Sequence, residues 1–145
     1  MGDCIIIGSP IYFSDITGML KSFLERLLFP CFVYDKNYSS IAPKKIRTAI
    51  IYTMNITYED MLLYHYPKKL GTMETFIGKV FGYKPLIQYV NDTYQFPDYS
   101  KYKMEVFSET EKAKQREIQF PIDCDNARKL GIELSNNIMK GGDKQ

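Results

Sequence analysis

The chain has 145 residues, of which 45% are hydrophobic and 25% charged, and its net charge is +2. That balance excludes a disordered chain and fits one domain able to bury a core; it also lacks the basic stripe that would track a phosphate backbone, so no nucleic-acid partner is expected. No apolar run is long enough to span a bilayer, and the Ile5-Ile6-Ile7 run has no cationic flank of the signal-peptide kind, so a cytoplasmic protein with no membrane partner is the expectation.

Three cysteines, Cys4, Cys31 and Cys124, are an odd number at wide spacing, with no Cys-x-x-Cys pair to hold a metal. They read as reduced thiols, with Cys4 and Cys124 as small buried hydrophobes.

The first predicted element is a strand over Cys4 to Gly8, a continuous apolar run suited to a parallel sheet covered on both faces. It opens into the loop Ser9-Pro10-Ile11-Tyr12-Phe13, which carries more aromatic surface than a turn needs. An amphipathic helix follows. Ile16, Met19, Leu20, Phe23, Leu24, Leu27 and Leu28 recur at three- and four-residue steps, Ser14 or Asp15 caps the start and Pro30 ends it. Gly18 in the first turn costs roughly 1 kcal/mol against alanine, which suggests close backbone packing there. Lys21 and Glu25, four apart, suit a surface ion pair. Met19, Met61 and Met73 read as core filler.

After a polar connection over 30–45, Thr48 to Thr53 is the second predicted strand, followed by the loop Met54-Asn55-Ile56. A helix should start at Thr57, with Asp60 in a capping-box position, and Pro67 should interrupt it. His65 reads as a helix-end residue. Met73, Phe76, Ile77, Val80 and Phe81 form the stripe of a further helix that Gly82 stops. Leu86 to Val90 is the third strand, and a polar aromatic loop runs over 91–102, in which Asp98 and Lys101 serve loop structure. The charged stretch 108–117 reads as a solvated helix face. After Pro121 and Asp123 a closing helix presents Ala127, Leu130, Leu134 and Ile138. A single domain is expected over 1–140, with 141–145 a flexible tail.

Strands alternating with helices imply right-handed crossovers and an α/β fold with a parallel sheet of three predicted strands and helices on both faces. The three post-strand loops then meet at the carboxyl ends of the strands, where such sheets bind ligands. Tyr12 and Phe13 would offer flat surface beside the backbone stiffened by Pro10. Thr53 and Asn55 on the second loop and Thr93 and Tyr94 on the third would add hydrogen-bonding groups and further flat surface, a combination that suits a planar heterocycle with a polar edge.

Gly8-Ser9-Pro10-Ile11-Tyr12-Phe13, followed by Gly18-Met19-Leu20-Lys21-Ser22-Phe23-Leu24-Glu25-Arg26, resembles the third-strand region of the flavodoxin-like NAD(P)H-dependent FMN reductases, the iron-sulfur flavoprotein group included. The resemblance extends more loosely through Tyr52 to Asn55 and Asp92 to Phe96. It implies a flavodoxin-like fold, with FMN as cofactor, NAD(P)H as co-substrate, and hydride transfer from NAD(P)H to the flavin followed by electron delivery to an acceptor. It places Ser9, Pro10, Ile11, Tyr12 and Phe13 along the flavin ring, with Thr53, Met54, Asn55, Asp92 and Thr93 completing the pocket, and it implies a homodimer. No residue is expected to act as a catalytic acid or base.

Members of that family begin with two further strands and a phosphate-binding loop that have no counterpart before Cys4. The resemblance therefore implies the carboxyl-terminal part of such a domain, an open sheet edge at the first strand, and weak FMN binding by this chain alone. A non-enzymatic module of the same fold, an electron carrier or a remnant used for protein contacts, is the alternative. Carriers that dock by charge need a strongly signed face, and the mixed charges here argue mildly against one.

Overall fold

The computed structural model describes residues 2–142, with side chains for residues 2–139. Its elements are β1 (Cys4–Tyr12), β2 (Asp15–Ile16), α1 (Gly18–Leu28), β3 (Arg47–Thr53), α2 (Tyr58–Leu63), α3 (Tyr66–Phe81), β4 (Leu86–Val90) and α4 (Glu109–Gly142). They form an α/β structure around a mixed sheet of order β2-β1-β3-β4. The three predicted strands are the parallel part, β1, β3 and β4. The fourth, β2, is a two-residue antiparallel strand that the sequence reading did not expect.

Alternation along the strands sets the two faces. Ile7, Ile50 and Tyr52 point toward α1 and α3, where Leu24, Leu28, Leu70, Ile77 and Val80 close the main core. On the opposite face Leu130 and Leu134 of α4 pack on Ala49, with Leu86 beside them. Helices thus lie on both faces, but α4 covers β3 and β4 and leaves β1 bare, so Ile6 is 54% exposed. Among the described residues no strand pairs the outer edge of Cys4 to Pro10.

Several expectations are corrected. Ser9 to Tyr12 is strand, not loop: Ser9 and Ile11 continue the inward alternation of Ile5 and Ile7, and Pro10 is tolerated because this is an edge strand. Helix α1 is capped by Thr17, whose hydroxyl accepts from the Leu20 amide at 3.2 Å, rather than by Ser14 or Asp15. A Cβ on Gly18 would meet nothing within 4 Å, so close packing does not explain that glycine. Lys21 pairs with Asp15 at 3.4 Å instead of Glu25. Cys4, Cys124 and Met19 are exposed, whereas Met61 is buried.

Other signals act as read. Thr57 caps α2 by accepting from the Asp60 amide at 3.1 Å, and Gly82 ends α3 at φ 82°. His65 is the residue before α3, with left-handed backbone at φ 57°. Asp98 pairs with Lys101 and accepts from Ser100.

The largest departure is α4. It is one 34-residue helix with Pro121 inside, where the sequence suggested a polar helix, a break and a closing helix. Pro121 sits on the solvent side, nine residues or two and a half turns from Leu130, so its missing N–H leaves the Glu117 carbonyl unpaired where water reaches it. Gly141 and Gly142 belong to this helix, and the remaining tail over 143–145 lies outside the described residues. No described helix is long and apolar enough to cross a membrane.

Because α4 is continuous, Pro121→Ala should restore one helical hydrogen bond and stabilise the chain by about 2–3 kcal/mol, several degrees in thermal unfolding. A variant melting at or below the wild-type temperature would mean that the helix is interrupted at this position.

One half-buried carboxyl works against the fold. Burial raises the pKa of Glu74 on α3, while the neighbouring Tyr52 hydroxyl and Lys84 pull it down; one carboxylate oxygen, Oε1, is buried with no hydrogen-bond partner. Burial, reinforced by the Glu74 charge, also raises the Tyr52 and Tyr89 phenols, Tyr89 to about 12. For a carboxyl raised on folding, the penalty is absent below its unfolded pKa and fully present above its folded one, so stability falls as pH rises between them. Glu74→Gln should therefore melt higher than wild type at neutral pH and lose that difference under acid conditions. Calorimetry across pH checks this, and a wild type that melts as high as the variant at neutral pH would overturn it.

Candidate ligand site at the carboxyl ends of the strands

Parallel register places the ends of three strands side by side. Pro10 is opposite Thr53, and Thr53 is opposite Val90, so one row crosses β1, β3 and β4. The segments beyond that row lie on one rim. The expectation that the three loops share a rim therefore corresponds to the observed topology.

At the β1 end, Tyr12 pairs with Asp15 and the chain reverses through Phe13 and Ser14. Both turn residues have positive φ, 50° and 67°, as a two-residue type I′ hairpin demands. Asn-Gly is the usual solution. Phenylalanine and serine in left-handed backbone cost roughly 1–2 kcal/mol each, and the Phe13 ring is fully exposed, so no burial offsets that cost. Tyr12 is 57% exposed. Neither is a core aromatic.

Ser9 and Met54 face the other way. The Ser9 hydroxyl donates to the Pro10 carbonyl at 2.8 Å and accepts from the Thr17 amide at 3.3 Å. Met54 is buried; its amide donates to the Val90 carbonyl and its carbonyl accepts from the Thr93 amide at 3.1 Å. With Ile11, which also packs inward against the core, these two residues build the rim from beneath and leave the surface to Pro10, Tyr12, Phe13, Thr53, Asn55 and Thr93.

The loops after β3 and β4 are joined by a residue that the sequence reading passed over. Lys112, in the stretch read as a solvated helix face, is only 3% exposed. Its ammonium donates to the Asn55 carbonyl at 2.5 Å and to the Asp92 carboxylate. Asp92 has left-handed backbone at φ 55°, and its amide donates to the Ile56 carbonyl at 2.9 Å. The Asp92 carboxylate, expected to face a ligand, is thereby committed to Lys112.

Stepping back from Leu130 by three or four residues reaches Asn126, Asp123, Gln119, Arg116 and Lys112, one stripe of α4. Over the sheet the stripe is apolar. Beyond the strand ends it is polar, and there it walls a cleft of about 240 Å³ with Thr53, Asp92, Thr93 and Tyr94 on the opposite side. A second cleft of about 500 Å³ shares Asn91, Gln115 and Gln119 and continues past Tyr89. A larger cleft, about 720 Å³, lies elsewhere, between α1 and α3, and is walled by Leu24, Phe29, Phe32, Met73 and Phe76 with only Glu25 and Arg26 charged. It lacks the converging polar groups that orient a ligand, so the strand ends are the better candidate.

The donor set at the rim fits a planar ring with a polar edge. Two exposed aromatics offer flat faces, and Asn55 Oδ1 is a buried acceptor without a partner. No protein-family model matches this sequence, and comparison with curated proteins and with solved structures finds no match.

Removing the ammonium of Lys112 strands the Asp92 charge. Lys112→Met should cost about 2–4 kcal/mol in urea unfolding, less than a fully buried pair would because Asp92 retains some solvent. Adding Asp92→Asn, which keeps the left-handed preference, should recover part of the loss. A double variant no more stable than the single one would show that packing, and not charge pairing, sets the effect.

Proposed function

We propose that this chain is an FMN-binding oxidoreductase of the flavodoxin-like type, using NAD(P)H as hydride donor. The observation that carries the reading is the strained hairpin at Phe13: an aromatic ring held in water, on backbone that disfavours it, beside the row of Pro10, Thr53 and Val90. Strain of this kind is retained where the surroundings gain from it, and a stacking face for a ring ligand is such a gain.

When bound, FMN supplies the redox chemistry, accepting a hydride from NAD(P)H and delivering electrons onward. The chain's residues bind and orient. Tyr12 and Phe13 stack on the ring, and Pro10 holds the backbone beneath it stiff. Asn55 Oδ1 accepts from a ring N–H, and the hydroxyls of Thr53 and Thr93 reach the polar edge. Lys112 fixes the Asn55 segment, so the acceptor keeps its position when the site is empty.

Titration of FMN followed by flavin fluorescence should give saturable binding, and the loaded protein should oxidise NAD(P)H. Phe13→Gly separates the two roles of the hairpin. It should raise stability by about 0.5–1 kcal/mol by relieving left-handed strain, and weaken flavin binding roughly five- to tenfold through the lost stacking face. Unchanged flavin affinity in that variant, or no flavin binding by the wild type, would remove the basis of the reading.

A further inference from the structure

We infer that Arg116 and the cleft beside it hold the phosphomonoester end of the ligand; the identification of that ligand as FMN rests on the reading above, whereas the anion site rests on the cleft.

The charges lining the cleft single out one group. Lys112 neutralises Asp92. Asp123, which also lines the cleft, accepts from the Gln119 amide at 2.9 Å, and Glu109, which does not line it, accepts from the Tyr94 hydroxyl at 3.3 Å. Arg116, among the described residues, has no ion pair and no hydrogen bond to a protein acceptor. Its guanidinium lies 5.3 Å from the centre of the Tyr94 ring, a cation–π contact that holds the side chain over the cleft while leaving its donors free. Thr53, Thr93 and Gln115 add uncharged donors around the same space.

A free guanidinium ringed by hydroxyl and amide donors is complementary to an anionic oxygen cluster, which it can bind through two parallel N–H···O bonds. Asp123 opposes this only weakly. It lines the same cleft but lies seven residues further along α4, about 10 Å of helix rise, where this cleft meets the one that opens toward Tyr89.

Size points to one end of a longer molecule. At about 240 Å³ the cleft is smaller than sites that enclose a whole drug-sized ligand. Thr53 belongs both to this cleft and to the row beginning at Pro10, and that row spans two inter-strand steps, roughly 9–10 Å. A ring against Tyr12 and Phe13 can therefore extend a polar chain across the strand ends to place its phosphate at Arg116.

Riboflavin and FMN share a ring and differ in the phosphate, so comparing them isolates this site. Wild-type protein should bind FMN at least tenfold more tightly than riboflavin, with a preference that shrinks as salt is raised. Arg116→Gln should abolish the preference without changing riboflavin affinity, and Arg116→Lys should retain part of it; Arg116 is exposed, so circular dichroism and melting should match wild type. Equal affinity for the two flavins in wild type, or equal weakening of both by Arg116→Gln, overturns the phosphate site and leaves the flavin reading standing. Should neither flavin bind, the flavin reading fails by itself. Titration with inorganic phosphate, followed at the Arg116 side chain by NMR, then decides: a saturable shift lost in Arg116→Gln supports the anion site, and its absence overturns it.

Discussion

The ammonium of Lys112 is the point at which the segments beyond the carboxyl ends of the strands are held together. A lysine this well buried is destabilising unless its charge is met, and here it is met by the Asp92 carboxylate and the Asn55 carbonyl. Those partners sit on the segments after β4 and β3, so one side chain from α4 ties together two loops that sheet hydrogen bonds alone would leave hinged. The link also fixes the start of α4 over the rim. Everything polar on the α4 stripe, from Arg116 to Asp123, takes its place from this end and from the apolar contact of Leu130 and Leu134 at the other.

The opposite wall is held by different means. β1 has a strand partner along its length on one side only, and β2 pairs just its last two residues. Ile7 and Ser9 anchor it inward, by packing and by the hydrogen bond to Thr17. The hairpin beyond them is strained and bears its aromatics outward. One wall of the candidate site is thus rigid and neutralised, the other exposed and costly to maintain, which is the distribution expected where a ligand completes the contact.

Much of the architecture was readable. Continuous isoleucine and alternating helical stripes located β1, β3, β4, α1 and α3, and the capping pattern at Thr57 located α2, because these signals arise from local backbone preference and burial. The end of β1 was misread because proline suggests a loop, whereas an unpaired edge has no use for the missing N–H. The I′ hairpin carried no Asn-Gly signature, so nothing local marked it. Pro121 misled in the same way: its cost depends on whether the freed carbonyl meets water, which is a tertiary property.

Lys112 and Arg116 show where a sequence signal was present and its meaning was not. Both lie on the heptad-like continuation of Leu130 and Leu134, and a stripe that turns from leucine to lysine and arginine reads locally as a helix leaving its core. What changes its meaning is length. Eighteen residues of helix separate Lys112 from Leu130, roughly 27 Å, whereas β4 is only five residues long and extends about 17 Å. A helix anchored on such a sheet must overhang it, and the overhanging part of its inward stripe faces the strand ends instead of their side chains. Polar residues there are not solvated by default; they line whatever space the overhang encloses. The same arithmetic gives Arg116 a cleft to face and Lys112 a carboxylate to meet, and the composition of the segment alone could distinguish neither from a surface cation.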